Sequence, residues 1–274
     1  MSTQKIYDHV TERYSAASRG TALEYGASVA KAFGYSEKEL ADIPKESNLG
    51  LSCGNPMAMA SIREGETVID LGSGAGFDVF LAANKVGPNG KDMLARANEI
   101  KEKHGKSNVS FVDSQITDMS AIPSGTADCI ISNCVINLVP EEDKPLVFKE
   151  MHRLLKPGGR VAISDILAKK PLPEKLRANM ALYVGCVSGA SLVGQYEQYL
   201  REAGFEAGGA AIKDDGADLN VYLETNPDGT RTAGGTGGNL CYQAYAFEKK
   251  DLADLEGENL NEWAGSYKIY AVKS

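Results

Sequence analysis

Two groups of residues in this chain could do chemistry: one turn with glycine at every second position, and five scattered cysteines. The turn is Asp70-Leu71-Gly72-Ser73-Gly74-Ala75-Gly76. Glycines at that spacing let the backbone approach a small ligand closely, and the apolar run Thr67-Val68-Ile69 entering the turn places it at the end of a strand. The cysteines stand at 53, 129, 134, 186 and 241. Cys53 and Cys186 lie in Gly- and Ser-rich segments that do not read as core, so both are candidate ligands; Cys241, which opens the strand-like Cys241-Tyr242-Gln243-Ala244-Tyr245, is a third. Cys129 and Cys134, in or beside the apolar run Cys129-Ile130-Ile131-Ser132, read as core. Thiolate sulfur is a soft donor, so two or three converging cysteines could hold a thiophilic atom and exclude hydroxide. His9, His104 and His152 sit in amphipathic patterns that read as surface, which leaves no histidine-based acid–base site.

The elements that must position these groups fall into three regions. Residues 1–64 read as a helical cap, with Tyr7, Val10 and Tyr14 on one face, a helix from Leu23 to Phe33, and Ser36 with Glu39 at capping-box spacing. Residues 65–168 alternate strand and helix: a helix from Phe77 to Val86, strands at Asn108 to Val112, Cys129 to Ser132 and Arg160 to Ile166, and a helix from Lys144 to Leu155 closed by Pro157-Gly158-Gly159. That alternation predicts a parallel α/β sheet. Residues 169–274 read as an α+β lobe, with helices from Glu174 to Tyr183 and Leu192 to Ala203, strands near Leu219 to Leu223 and Leu240 to Phe247, and a glycine-rich loop from Asn226 to Asn239.

Composition narrows the partners. With 274 residues, 43% of them hydrophobic, the chain can bury a substantial core. A net charge of -8 argues against nucleic acid or an anionic membrane surface as partner. No apolar run approaches the roughly 20 residues that span a bilayer, and the polar opening lacks a signal peptide's apolar core, so the expected compartment is the cytoplasm. Scattered thiols in odd number there fit reduced cysteines better than a disulfide framework.

Three motifs in order carry a resemblance. Val68-Ile69-Asp70-Leu71-Gly72-Ser73-Gly74 resembles the first motif of class I S-adenosylmethionine methyltransferases, Asp128-Cys129-Ile130-Ile131-Ser132-Asn133 their fourth, and Leu154-Leu155-Lys156-Pro157-Gly158-Gly159 the turn before their fifth strand. A narrower likeness, over roughly residues 35 to 205, is carried by Asn48-Leu49-Gly50-Leu51-Ser52-Cys53-Gly54-Asn55-Pro56, Ile131-Ser132-Asn133-Cys134-Val135-Ile136-Asn137-Leu138 and Tyr183-Val184-Gly185-Cys186-Val187-Ser188-Gly189-Ala190: these segments resemble the arsenite methyltransferases. The resemblance implies a Rossmann-like core, S-adenosylmethionine as cofactor, and trivalent arsenic bound by Cys53, Cys186 and Cys241, with glutathione or thioredoxin as reductant. Its implied cofactor contacts are Asp70, Gly72, Ser73 and Gly74 at the turn, Asn133 at the amino-acid end, and Ile116 and Gln115 about the adenine.

One departure stands out. The pattern requires a second strand ending in an acidic residue that grips the ribose, yet Val86-Gly87-Pro88-Asn89-Gly90-Lys91 runs directly into Asp92-Met93-Leu94. The second core strand is therefore expected to be missing after Lys91, unless the segment is lost from the numbered chain or Asp92 takes the acidic role. A genuine loss would make the protein a catalytically impaired arsenic-binding relative; a generic small-molecule methyltransferase, in which the cysteines are incidental, is the other alternative.

Overall fold

The computed structural model describes residues 6–8, 10, 30–31, 33–48, 54–86, 91–93, 108–179, 182–183, 186–220, 255 and 258–274. Ahead of the sheet, Ser36 caps helix α1 (Glu37–Ala41): its hydroxyl accepts the Glu39 N–H while the Glu39 carboxylate accepts the Ser36 N–H, the expected reciprocal box. A short helix α2 (Met57–Ala60) leads to strand β1 (Thr67–Leu71), then the glycine turn and helix α3 (Phe77–Val86), which spans the residues its pattern predicts. Strands β2 (Lys91–Met93), β3 (Val109–Ser110) and β4 (Ala127–Asn133) follow, then helix α4 (Lys144–Leu154) with Pro145 in its first turn. Strand β5 (Leu155–Ala168) begins directly at the helix end, because Leu155 is already extended. Pro157-Gly158-Gly159 thus lies within the strand, with Gly158 at φ +77° donating its N–H to Lys273 O. Helices α5 (Glu174–Arg177) and α6 (Val193–Ala203) precede strands β6 (Ala210–Asp214) and β7 (Ala264–Val272).

The seven strands form one sheet in the order β3-β2-β1-β4-β5-β7-β6. The five from β3 to β5 are parallel; β7 is antiparallel to both β5 and β6, so the expected all-parallel sheet is mixed. Two strands from residues 169–274 complete the core sheet, so this region is not structurally separate from it. Leu219 and Asn220 form a helical turn rather than the start of a strand, and the second expected strand and the glycine-rich loop lie outside the described residues.

The strand expected to be missing is present as a short one. Lys91, Asp92 and Met93 lie opposite Thr67, Val68 and Ile69, and β2 also pairs with β3. A ladder is built from backbone N–H and C=O groups, so three residues with no strand-like pattern can still fill the space between β1 and β3. The register also locates Asp92. It is level with Val68, whereas β1 runs on to Leu71, three residues and about 10 Å nearer the carboxyl edge.

Alternation along the strands splits the core between the two faces. Ile69, Ile130, Val161 and Ile163 pack with Phe148, Met151, Tyr196 and Leu200 from α4 and α6. Val68, Cys129, Ile131 and Ala162 pack with Phe80 and Leu81 of α3 and with Tyr35 and Met57 ahead of the sheet. Cys129, fully buried there, is the core residue its pattern predicts.

At the opposite end of the sheet from the glycine turn, Arg160 clasps β5 to the segment before β1. Its guanidinium meets Glu66 through two bonds of 2.9 and 2.8 Å and donates to Ala60 O and Ser61 O, with both side chains largely buried. Removing one partner of such a pair leaves a buried charge uncompensated, so Arg160→Ala is expected to cost about 3–5 kcal/mol in urea unfolding.

Candidate active site

The strand order reverses beside β1: its chain successor β2 lies on one side and β4 on the other. A crevice therefore opens outside the carboxyl ends of β1 and β4, the usual ligand position in sheets of this kind. Gly72, Gly74 and Gly76 adopt φ values of +69°, +54° and +91°, all in the left-handed region that glycine enters without strain. Gly72 and Gly74 are exposed and Ser73 is half-buried, so the turn presents backbone outward, while Asp70 is buried at the end of β1. At Gly72 the lack of a side chain is also a packing necessity. A Cβ there would sit 2.5 and 2.6 Å from the methyls of Val135, in the segment after β4. These features fit a small ligand held by main chain. Gln115 is exposed in the turn Gln115 to Asp118, and Ile116 is half-buried against the core.

Asn133 ends β4 and works inside the protein. Its amide nitrogen shares two protons among the carbonyl of Gly54 at 2.9 Å, the Tyr35 hydroxyl at 3.0 Å and Asp78 Oδ2 at 3.1 Å. The Tyr35 hydroxyl in turn donates to Asp78 Oδ1 at 2.6 Å. Burial pushes the Asp78 carboxyl up to about 6, and the bonds from Tyr35 and Asn133 oppose that rise. Gly54 is seated tightly, since a Cβ there would lie 2.7 Å from Ser164 Cβ. Cys53, its neighbour in sequence, and Cys241 lie outside the described residues.

Cys186 is described, and it is buried. Its φ of +64° and that of Cys134, +57°, are left-handed, a conformation that costs a non-glycine residue about 1–2 kcal/mol. The Cys186 thiol donates to Cys134 O at 2.9 Å. Cys129 and Cys186 are reduced thiols, whereas Cys134 is a half-cystine, so the expectation of reduced cysteines fails at that position. Cys134 is nonetheless buried, as its pattern predicts.

A polar network that the sequence reading missed supports the Cys186 turn. Asn137, fully buried, places its amide nitrogen 2.9 Å from Asp165 Oδ1, 2.5 Å from Ile166 O and 3.1 Å from Cys186 O. Asp165 Oδ2 accepts the Tyr196 hydroxyl at 2.9 Å. Desolvation pushes the Asp165 carboxyl up to about 6, countered by these bonds and by the Lys144 charge. The buried Lys144 ammonium donates to Glu141 at 2.7 Å, Ser191 at 2.7 Å and Gly189 O at 2.5 Å, which satisfies its three protons. A signal for the network is present in the sequence: Asn137 is the single polar residue within the apolar run Val135 to Val139, and Ser164-Asp165 is the one polar pair within Val161 to Ala168. Against the outer side of the turn lies a cavity of about 520 Å³, lined by Glu141, Tyr183, Ser188 and Gly189 among others.

A sheet of this order with a glycine turn after β1 is the class I methyltransferase fold. The chain belongs to the methyltransferase domain family, whose match covers residues 62–204. It is similar to the arsenite methyltransferase of Halobacterium salinarum, 42% identical over 204 residues that make up 72% of this chain and 51% of that protein. The arsenite methyltransferase of Aquipseudomonas alcaligenes is 37% identical over 176 residues, 59% of this chain and 50% of its own length. The chain thus spans about half the length of these curated relatives. The crystal structure of an arsenic(III) S-adenosylmethionine methyltransferase from Chlamydomonas reinhardtii shares the fold, with a TM-score of 0.57 and 24% identity over 90% of this chain and 73% of that one. Among the described residues, no helix is long and apolar enough to cross a membrane.

The raised carboxyl of Asp165 gives a signed pH effect. Above its unfolded value of 3.8 the unfolded chain ionises while the folded protein still holds the proton, so this group's contribution to stability falls as pH rises and is lost beyond about 6. Asp165→Asn can keep the network, with Oδ1 accepting from Asn137 and the new amide donating to a reoriented Tyr196 hydroxyl. Between pH 4 and 7 the stability difference should move toward the variant by about 2–3 kcal/mol, read from urea unfolding at each pH.

Proposed function

We propose that the protein methylates trivalent arsenic held by cysteine sulfur, with S-adenosylmethionine bound at the glycine turn. The observation that carries this reading is the position of Cys186. Its thiol bonds to Cys134 O, and the next residue, Val135, packs against Gly72 of the turn. A soft donor therefore stands beside a main-chain segment suited to a methyl donor. Arsenic is soft and prefers sulfur to oxygen, and the relatives of highest identity reported above are arsenite methyltransferases.

Bound at the turn, S-adenosylmethionine supplies an electrophilic methyl group on a sulfonium centre. Gly72, Ser73 and Gly74 would hold its methionine part by main chain, with Asp70 bracing the turn, and Gln115 and Ile116 would frame the adenine. Asn133 would act at the amino-acid end through the loop that it organises. Cys186, with Cys53 and Cys241, would bind the arsenic. A protonated thiol suits that exchange: each As–OH leaves as water with the thiol proton while an As–S bond forms. Arsenic keeps its lone pair, so no side-chain base is required, and the chain's contribution is to orient that lone pair. The half-cystine at Cys134, beside Cys186, supports a requirement for a thiol reductant, glutathione or thioredoxin, and the cytoplasm as a compartment that provides it.

The test is transfer of labelled methyl to arsenite in the presence of glutathione. The parent protein should release methylated arsenic and Cys186→Ser none; equal product from both would remove Cys186 from the reaction. Asp92, level with Val68 rather than with the carboxyl edge, should not bear on the cofactor. Asp92→Asn is accordingly expected to change the calorimetric Kd for S-adenosylmethionine by less than about twofold, roughly 0.4 kcal/mol.

A further inference from the structure

Both ends of the glycine turn carry a buried carboxyl. Asp70 lies at the end of β1 before it, and Asp78, 5% exposed, stands in the first turn of α3 after it. The Asp78 carboxylate meets the end of β4, the strand beside β1: Oδ2 lies 3.1 Å from Asn133 Nδ2, while Oδ1 accepts the Tyr35 hydroxyl at 2.6 Å. These bonds use about half of what a carboxylate accepts, since its two oxygens offer about four lone-pair sites. Asn133 supplies less than a full bond, because its two amide protons are shared among three acceptors. Among the described residues, no lysine, arginine or histidine forms an ion pair with Asp78. A charge buried without a counter-ion is costly, and here it adjoins the backbone suited to a small ligand.

We propose that Asp78 is a further cofactor-binding residue, whose carboxylate takes the ammonium group on the methionine part of S-adenosylmethionine. This rests on the reading of the glycine turn as the cofactor site. Main-chain N–H groups of the turn can hold the carboxylate of that methionine part, but an ammonium carries three donors and needs acceptors. Asp78 has lone pairs to spare and the opposite charge, and a hydrogen bond between ionised groups is roughly twice as strong as a neutral one.

The same pairing makes cofactor affinity depend on pH. Burial pushes the Asp78 carboxyl up to about 6, against the bonds from Tyr35 and Asn133; Glu39 of α1 adds to the rise, and the exposed Lys85 of α3 opposes it. Asp70 stands at the other end of the turn. A bound ammonium favours the ionised carboxylate, so below pH 6 binding must first expel the Asp78 proton. Affinity is therefore expected to fall about tenfold from pH 7 to pH 5.

The test is calorimetric Kd at both pH values for S-adenosylmethionine, for S-adenosylhomocysteine, which keeps the ammonium without the sulfonium charge, and for the desamino analogue of S-adenosylhomocysteine. The full chain is compared with Asp78→Asn, Tyr35→Phe and Gly74→Val. The parent should bind S-adenosylhomocysteine at least tenfold more tightly than the desamino analogue. Asp78→Asn can keep the network, its new amide oxygen accepting from Asn133 and its nitrogen donating to the Tyr35 oxygen. It should nevertheless bind the two ligands within twofold of each other and change less than twofold between the two pH values. Tyr35→Phe removes the shorter bond to Asp78 but leaves the charge, so it should retain the tenfold discrimination.

Discrimination kept in Asp78→Asn overturns the proposal, whether its affinity is parental or falls equally for both ligands, the latter being a structural role. Loss confined to S-adenosylmethionine places the carboxylate at the sulfonium and overturns the ammonium assignment. Should Asp78→Asn fail to fold, the parent still decides, because equal affinity for the two uncharged-sulfur ligands overturns the proposal. Gly74→Val separates the two layers. Parental affinity there overturns the reading of the turn and the proposal with it, whereas loss there with discrimination kept in Asp78→Asn overturns the proposal alone.

Discussion

The close approach of two loops, the one after β1 and the one after β4, sets the rest of this structure. Val135 occupies the space where any side chain at residue 72 would stand, so the glycine turn and the β4 segment form one continuous wall of the crevice. With that contact in place, the residues on either side of Val135 have their positions assigned. Asn133 faces back to the segment ahead of the sheet, Cys134 presents its carbonyl to the Cys186 thiol, and Asn137 runs beneath the Cys186 turn. The proposed methyl-donor and thiol sites are thus two sides of one piece of backbone, which makes their separation a property of packing rather than of flexible side chains.

Around this wall the interior holds several buried polar and charged side chains. Asp78, Asp165, Lys144 and Asn137 are all buried. Each is satisfied chiefly by hydrogen bonds that cross between distant parts of the chain, from Tyr35 to Asp78 and from Lys144 to Gly189 and Ser191. Buried polar groups add little net stability but penalise wrong arrangements heavily, because a misplaced loop leaves a donor or carboxylate without a partner. The Cys186 turn, with its left-handed residue, gains its definition from that penalty.

Much of the scaffold could be read from the residue pattern. The capping box at Ser36 and Glu39, helix α3 immediately after the glycine turn, and helix α4 all rest on local rules, and they stand where those rules put them. Strand β2 was illegible because its pairing uses backbone alone: Lys91, Asp92 and Met93 show no alternation. The antiparallel β7 was illegible for a different reason, since strand direction depends on distant partners. At the candidate site, the glycine turn and Cys186 could be picked out by residue type. Asn137 and Asp165 could not, because their roles depend on which carbonyl and which hydroxyl the fold brings beside them. Their polarity within apolar runs was the one available clue.

The place of β7 bears on how the molecule assembles. It pairs with β5 over nine residues and with β6 over five, although β6 precedes it in the chain. Among the described strands, β6 has no neighbour until β7 arrives, and β5 presents an open apolar edge, since β4 covers only its other side. The β5–β7 contacts span about a hundred residues of sequence, and such distant closures are slow. During synthesis the nascent chain therefore passes through a stage with β5 uncovered, in which pairing with another molecule competes with β7.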